Sequence, residues 1–218
     1  MKNLRIGLSM RITEAQNYSE PRDALAHDWP RFMQQVLPEA NWMPLPNIGI
    51  RIIQHVQDWD LNGFILTGGN DIHEYPKRDE TELALIRFAL QKNIPIFGVC
   101  RGFQLILHFF GKKIFRCLTK KHAGTRHAIS LLKSPSEQTE QSLIVNSYHD
   151  NCAEHVSCFR DRDALKPFAV DDNEVVEGIY HENHPLAGIM WHPERENPVN
   201  DYDQILVRNL FINSEKYT

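Results

Sequence analysis

The chain has no excess of positive charge. Its 24 lysines and arginines stand against 28 aspartates and glutamates, for a formal net charge of -4. That composition lacks the basic footprint of a nucleic-acid-binding surface, so no nucleic-acid partner is expected. No apolar run approaches the roughly 20 residues that a bilayer-spanning helix requires, so no membrane partner is expected either. The first residues, MKNLRIGLSMRITE, lack the apolar core and cleavage signal of a secretory peptide, and a cytoplasmic location is expected. Cysteine is sparse, with Cys100, Cys117, Cys152 and Cys158 only. Without an export signal, four free thiols are expected rather than two disulfides. Cys152 and Cys158 do not have C-x-x-C spacing, which argues against structural zinc. Two glycine-rich signatures are also missing. No G-K-[ST] follows the glycine pair at Gly68-Gly69, which excludes a P-loop. No G-x-G-x-x-G occurs, which excludes the dinucleotide fingerprint. No repeat or low-complexity linker divides the chain.

What is present is ordinary in bulk. Hydrophobic residues make up 42% and charged residues 24% of 218 residues, which suits a single globular domain over residues 1–218. Histidine is plentiful, at 11. His122 with His127, and His181 with His184, have no carboxylate or cysteine at ligand spacing, and they read as surface or strand histidines.

The pattern along the chain alternates strands and helices. Leu4–Ser9 reads as a strand, and Arg22–Leu37 carries a helical pattern with Pro30 in or near its first turn. Trp42–Pro46 reads as extended and Ile48–Trp59 as helical. Gly63–Gly69 is a buried strand running into a glycine turn. Glu80–Gln91 is an amphipathic helix. Ile94–Val99 and Gly102–Phe110 form the next strand and helix. This order predicts an α/β fold with a mainly parallel central sheet flanked by helices. Short strands then follow in HAISLL, SLIVNSY, PFAV, VVEGIYH and LAGIMW, which predict a small antiparallel extension before the chain returns to the parallel sheet. Lys133–Gln141 reads as a loop, Lys120–Arg126 as a loop able to reach the site, and Asp203–Phe211 as a closing helix.

Three short motifs carry chemistry. In GVCRG, Cys100 sits between Gly98 and Gly102 where a strand turns into a helix. A nucleophile raised on such an elbow occupies a strained backbone conformation and needs small neighbours. The backbone N–H of Arg101 then sits beside the thiol, where an oxyanion would form. Taken alone, the motif is equally a buried cysteine in a tight turn. In WHPER, His192 ends an apolar strand and Glu194 lies two residues on. In an extended segment both side chains point the same way, so Glu194 can orient the imidazole. In TGGND, Gly69 offers a second backbone N–H close to a ligand.

TGGND, GVCRGFQ and WHPER, in that order, resemble the class I glutamine amidotransferase superfamily across almost the whole chain. RDETELALIRFALQKNIPIFGVCRG looks most like its γ-glutamyl hydrolase branch. The resemblance implies a flavodoxin-like three-layer fold. It also implies a catalytic triad of Cys100, His192 and Glu194, with an oxyanion hole from Gly69 and Arg101. Asn70, Gln104, Ser147, Tyr148 and His149 would bind substrate, the Asn146–His149 loop receiving its α-carboxylate and α-amino groups. Without it, Gln104 reads as a polar residue on an early helix turn and Ser147–His149 as an ordinary turn. No metal or organic cofactor is implied.

The implied reaction releases glutamate from a small-molecule γ-glutamyl amide. RITEAQNYSEPRDALAHDWPRFM and GGNDIHEY are similar to a small group found near capsule-synthesis genes. That group removes glutamate from a γ-glutamyl nucleotide phosphoramidate and leaves cytidine diphosphoramidate. Arg11, Arg22 and Arg101 are then phosphate-binding candidates, against a competing reading as solvated surface arginines. Other readings remain: a hydrolase of γ-glutamyl-GABA or γ-glutamyl peptides, a glutaminase subunit feeding ammonia to a separate synthase, and a binding protein that has lost catalysis. A homodimer is left open.

Overall fold

The computed structural model describes residues 3–117, 123–132 and 142–213. Its strands and helices follow the chain as β1 (Arg5–Ser9), β2 (Arg11–Glu14), β3 (Pro21–Ala24), α1 (Asp28–Val36), β4 (Asn41–Leu45), α2 (Ile52–Asp58), β5 (Gly63–Leu66) and α3 (Pro76–Lys92). Then come β6 (Ile96–Val99), α4 (Arg101–Phe109), β7 (Ile114–Arg116), β8 (Ala123–Leu131), β9 (Ser142–Tyr148), β10 (Asn151–Ala153), β11 (Leu165–Asp171), β12 (Val176–His181), β13 (Leu186–Ile189) and α5 (Asp201–Ile212).

Nine strands form one sheet in the order β4-β1-β5-β6-β13-β12-β11-β8-β9. The run from β4 to β13 is parallel, and the rest pair antiparallel. β13 is the return to the parallel half that the sequence order predicts. β5, β6 and β13 are buried at every position, as strands covered on both faces must be. Two apolar clusters account for that burial. One gathers Trp29, Phe32 and Met33 of α1 with Leu206 and Leu210 of α5. The other gathers Val56 of α2, Leu85 and Ile86 of α3, and Phe103 and Ile106 of α4. The active-site candidates sit where β5, β6 and β13 end, the usual ligand position in an open α/β sheet.

The structure corrects the sequence reading at several places. Arg22–Ala24 is not helical. It pairs antiparallel with β2 as β3, and the helix begins only at Asp28. The β3 side chains are mostly exposed, so no apolar period marked the strand. Pro30 falls in the first turn of α1, where its missing N–H costs nothing. The second correction concerns the thiols. Cys117 and Cys152 form a disulfide across 35 residues, and only Cys100 and Cys158 are free. The short pairing of β7 with β10 sets Arg116 opposite Asn151, and Cys117 N–H donates to the Asp150 carbonyl at 2.8 Å. That ladder brings the two sulfurs together, and its three-residue strands carry no sequence period. Third, Arg101 is not a solvated arginine but is 2% exposed.

His181 lies buried on β12, its ring 4.8 Å from that of His184. Burial first, and the neighbouring charge of His184 second, push it down to about 4, so it is neutral near pH 7. His127 lies on β8. His122 and Lys133–Gln141 fall outside the described residues, as do the first three residues of the Lys120–Arg126 segment; its last four open β8 and are strand rather than loop. Among the described residues, no helix is long and apolar enough to cross a membrane.

Candidate active site

The elbow has the geometry its glycines predict. Cys100 lies between β6 and α4 with φ +52° and ψ −103°, a conformation L side chains rarely adopt. Its N–H donates to the Ile189 carbonyl at 2.8 Å, tying the elbow to the end of β13. The flanking glycines are obligatory for close approach. A Cβ at Gly102 would lie 2.1 Å from the Leu66 carbonyl oxygen, and one at Gly98 would lie 2.7 Å from the Gly102 carbonyl carbon. Cys100 is buried but opens onto a cavity of about 400 Å³ that also contains Gly69, Arg101, Gln104 and His192. A larger cavity of about 710 Å³ between Lys112 and Arg160 holds none of these groups.

His192 follows β13, and its ring and Cys100 both flank Gly68. A Cβ there would lie 2.8 Å from His192 Cε1 and 3.5 Å from Cys100 Cβ. His192 Nδ1 lies 2.7 Å from Glu194 Oε1, and both side chains are almost completely buried. The segment is not extended as the sequence suggests. Pro193–Arg195 is a single 3-10 turn, and the turn itself folds Glu194 back onto the ring. Nε2 makes no hydrogen bond of ordinary geometry among the described residues. Burial alone would depress the imidazole. The negative charges of Cys100 and Glu194 outweigh burial and raise it to about 9.

Sequence reasoning missed the groups that hold this constellation. Asn146 accepts from the His192 N–H at 2.9 Å and donates to the His192 carbonyl at 2.8 Å. It clamps the backbone of the histidine instead of facing a substrate. Arg78 is fully buried and donates to the carbonyls of Thr67, Gly68 and Gly69. In a trans peptide the N–H points opposite the C=O. With the Gly68 carbonyl held by Arg78, the Gly69 N–H is turned away from that side chain. Gly69 has φ +85°, which a side chain would strain. Arg78 also bonds Glu82 at 3.1 Å, while the Arg101 side chain bonds Glu82 and Asp79. The four charges form one buried network beneath the elbow. Burial foremost lowers Arg78 to about 10 and Arg101 to about 9, so both remain cationic near pH 7.

The five expected substrate residues separate into two groups. Gln104, Tyr148 and His149 line the cavity. The Tyr148 ring stands edge-on to His192 at 5.7 Å, and the Arg195 guanidinium lies 4.0 Å from the Tyr148 ring centre. Asn70 lines the wall too, but its carboxamide is spent on both backbone groups of Ile12 and on Arg78. It anchors β2 to the glycine loop. Ser147 is wholly buried, and strand alternation puts it on the face opposite Tyr148. Of the three arginine candidates for phosphate, only Arg11 lines the cavity with no ion pair among the described residues. Arg22 pairs with Glu20 on the surface, and Arg101 is consumed below the elbow.

This arrangement can support nucleophilic acyl transfer, with a strained thiol, an oriented imidazole and the Gly69 and Arg101 residues at the cavity wall. Comparison with known proteins points the same way. Residues 6–194 match the family Peptidase C26. The chain is 32% identical to gamma-glutamyl-CDP-amidate hydrolase from Campylobacter jejuni over 205 residues, 90% of this chain and 92% of the relative. It is 27% identical to gamma-glutamyl-gamma-aminobutyrate hydrolase from Escherichia coli O157:H7, covering 84% of this chain and 73% of the relative. The fold matches the crystal structure of a glutamine amidotransferase from Thermotoga maritima with a TM-score of 0.66 and 14% identity, over 99% of this chain and 86% of that one.

Proposed function

The chain belongs to the Peptidase C26 family, and on that premise we propose that it is a cysteine-dependent γ-glutamyl amide hydrolase whose substrate is a γ-glutamyl nucleotide phosphoramidate. The observation that carries the reaction is the thiol on a positive-φ elbow sharing one cavity with the buried His192–Glu194 pair. Cys100 Sγ attacks the γ-carbonyl carbon. The oxyanion is received by the N–H groups of Arg101, at the free first turn of α4, and Gly69. His192 gives its proton to the leaving nitrogen, and the amine departs. Water, deprotonated by His192, then opens the thioester, releasing glutamate and restoring the thiol. Gln104 and Tyr148 face the glutamyl group. Cytidine diphosphoramidate for capsule modification is the product this reading implies, and the enzyme works in the cytoplasm without a synthase partner.

The direct test is glutamate release from γ-glutamyl-CDP-amidate, γ-glutamyl-GABA, a γ-glutamyl peptide and glutamine, each supplied alone. The nucleotide substrate is expected to have the highest kcat/KM. Equal or greater turnover of γ-glutamyl-GABA would remove the nucleotide assignment, and no release from any of them would remove the hydrolase.

Arg11 supports the anionic leaving group, because an unpaired guanidinium at the cavity is suited to phosphate. Arg11→Ala is expected to raise KM for the nucleotide substrate about tenfold, one charge-assisted hydrogen bond in magnitude. KM for γ-glutamyl-GABA should stay within about twofold, since its single carboxylate carries less negative charge than a diphosphate. Equal effects on both substrates would show that Arg11 does not read the leaving group.

The pH profile follows from His192. Acylation needs the imidazolium as proton donor, and its folded value is about 9 against an ordinary value of 6.5. The group is raised, so its protonated form persists through neutrality and is lost as pH climbs past about 9. In kcat/KM, the alkaline limb should begin near pH 9 and fall about tenfold per pH unit beyond it. A limb beginning near pH 6.5 would mean that the charges of Cys100 and Glu194 do not act on the ring.

A further inference from the structure

Cys117 Sγ, Cys152 Sγ and one ring nitrogen of His149 all lie within 4.8 Å of one another. His149 lines the active-site cavity, and the reaction above leaves both sulfurs idle. We propose that, once the Cys117–Cys152 bond is reduced, these three side chains bind one thiophilic divalent cation of the zinc class, with water in the fourth position.

Donor chemistry is the first argument. Two thiolates and an imidazole form a ligand set that zinc takes with three protein ligands and an open site. Ligand bonds of about 2.0–2.3 Å set tetrahedral edges of about 3.5 Å, so a cluster within 4.8 Å needs only small side-chain rotations. His149 Nδ1 is already 3.8 Å from Cys117 Sγ.

The scaffold is the second argument. The backbone pairing of β7 with β10 does not depend on the sulfur–sulfur bond. Arg116 faces Asn151, and Cys117 N–H bonds the Asp150 carbonyl, so reduction leaves both cysteines side by side. The third argument is the far side of the imidazole. His149 Nε2 lies 3.8 Å from Glu177 Oε1, and both side chains are buried. Neither Glu177 carboxyl oxygen has a hydrogen-bond partner among the described residues. A metal-bound imidazole characteristically donates its other N–H to such a carboxylate, which fixes the tautomer. Binding would exchange the present contact of Nδ1 with the Asn151 carbonyl, at 3.0 Å, for the metal bond.

The chemistry balances with an external dithiol. The dithiol is oxidised to its own disulfide while Cys117 and Cys152 become thiols. Binding the cation then releases two thiol protons to solvent and leaves a site with no net charge from ion and thiolates.

Cobalt(II) is the probe, in a Cys100→Ser/Cys158→Ser background where Cys117 and Cys152 are the only sulfurs from cysteine. One preparation is divided. Half is reduced with dithiothreitol and desalted without oxygen, and half is left oxidised. Thiolate-to-cobalt absorption is expected in the reduced half only, saturating at one ion per chain and bleached by zinc. Glu177→Gln, which keeps the side chain's shape, should weaken binding about 10–100-fold. Adding Cys117→Ser or Cys152→Ser should abolish the absorption. The proposal is overturned if the reduced half gives no such absorption, if the oxidised half binds equally, or if the absorption survives the loss of either cysteine. Because oxidised and reduced halves share one sequence, the comparison between them does not depend on the folding of a further variant.

Discussion

Cys100→Ala is expected to cut glutamate release by at least about 10⁴-fold, equivalent to about 5.4 kcal/mol of lost transition-state stabilisation. No other described group can take over the attack. The second free thiol, Cys158, is exposed and lines the other cavity. The residual rate comes only from substrate binding and the oxyanion donors. Stability should change little. Alanine keeps the positive-φ strain and removes one sulfur from a site already 7% exposed, a cost of about 1 kcal/mol. Cys100→Gly should be at least as stable as Cys100→Ala, because glycine relieves the strain at φ +52°. Steady-state kinetics with thermal melts on both variants checks this. A rate within tenfold of the parent would sink the nucleophile assignment. A melting point lowered as far as the rate would favour a packing role instead.

Arg101→Met is expected to destabilise the fold by about 3–5 kcal/mol, the usual cost of removing one partner from a buried ion network. Arg101 is 2% exposed, and its two carboxylate partners, Asp79 and Glu82, are buried with it. Without it, Arg78 alone must neutralise both, and Arg78 is also the group that holds the Thr67–Gly69 carbonyls. The loss should lower the melting point by roughly 10 °C or more for a chain of this size. Denaturant unfolding gives the energy directly. The backbone N–H of residue 101 survives the change, so chemistry should fall only as far as the glycine loop is disturbed. If stability moved by less than about 1 kcal/mol while KM for the nucleotide substrate rose, Arg101 would be a phosphate ligand, and the network would be incidental.

The parts of the site legible in the sequence are those built from a few consecutive residues. GVCRG announces its elbow because the strand period ends, the helical period begins, and glycines stand where Cβ atoms would collide. WHPER places an acid two residues from a histidine, close enough to meet in either an extended segment or the 3-10 turn it adopts. The apolar runs of β5, β6 and β13 reveal a parallel core for the same local reason. β3 was hidden because an exposed strand carries no apolar alternation.

Asn70 and Asn146 show the limit of motif reading. Each sits inside a functional stretch, yet each uses its carboxamide to fasten backbone 58 and 46 residues away. A carboxamide facing a ligand and one facing a peptide have the same sequence. The same holds for Arg78, Asp79, Glu82 and Arg101, whose charges suggest water until α3 and α4 pack together and exclude it.

The sequence by itself determined the α/β order, the strained elbow, the His-x-Glu pair and the glycine loop, because chain connectivity and steric clearance act over a few residues. Tertiary structure alone decided which charges are buried, which carboxamides serve as clamps, and that Cys117 meets Cys152. Each of those depends on partners brought together by the packing of distant strands and helices, and the identity of a residue does not name its neighbour.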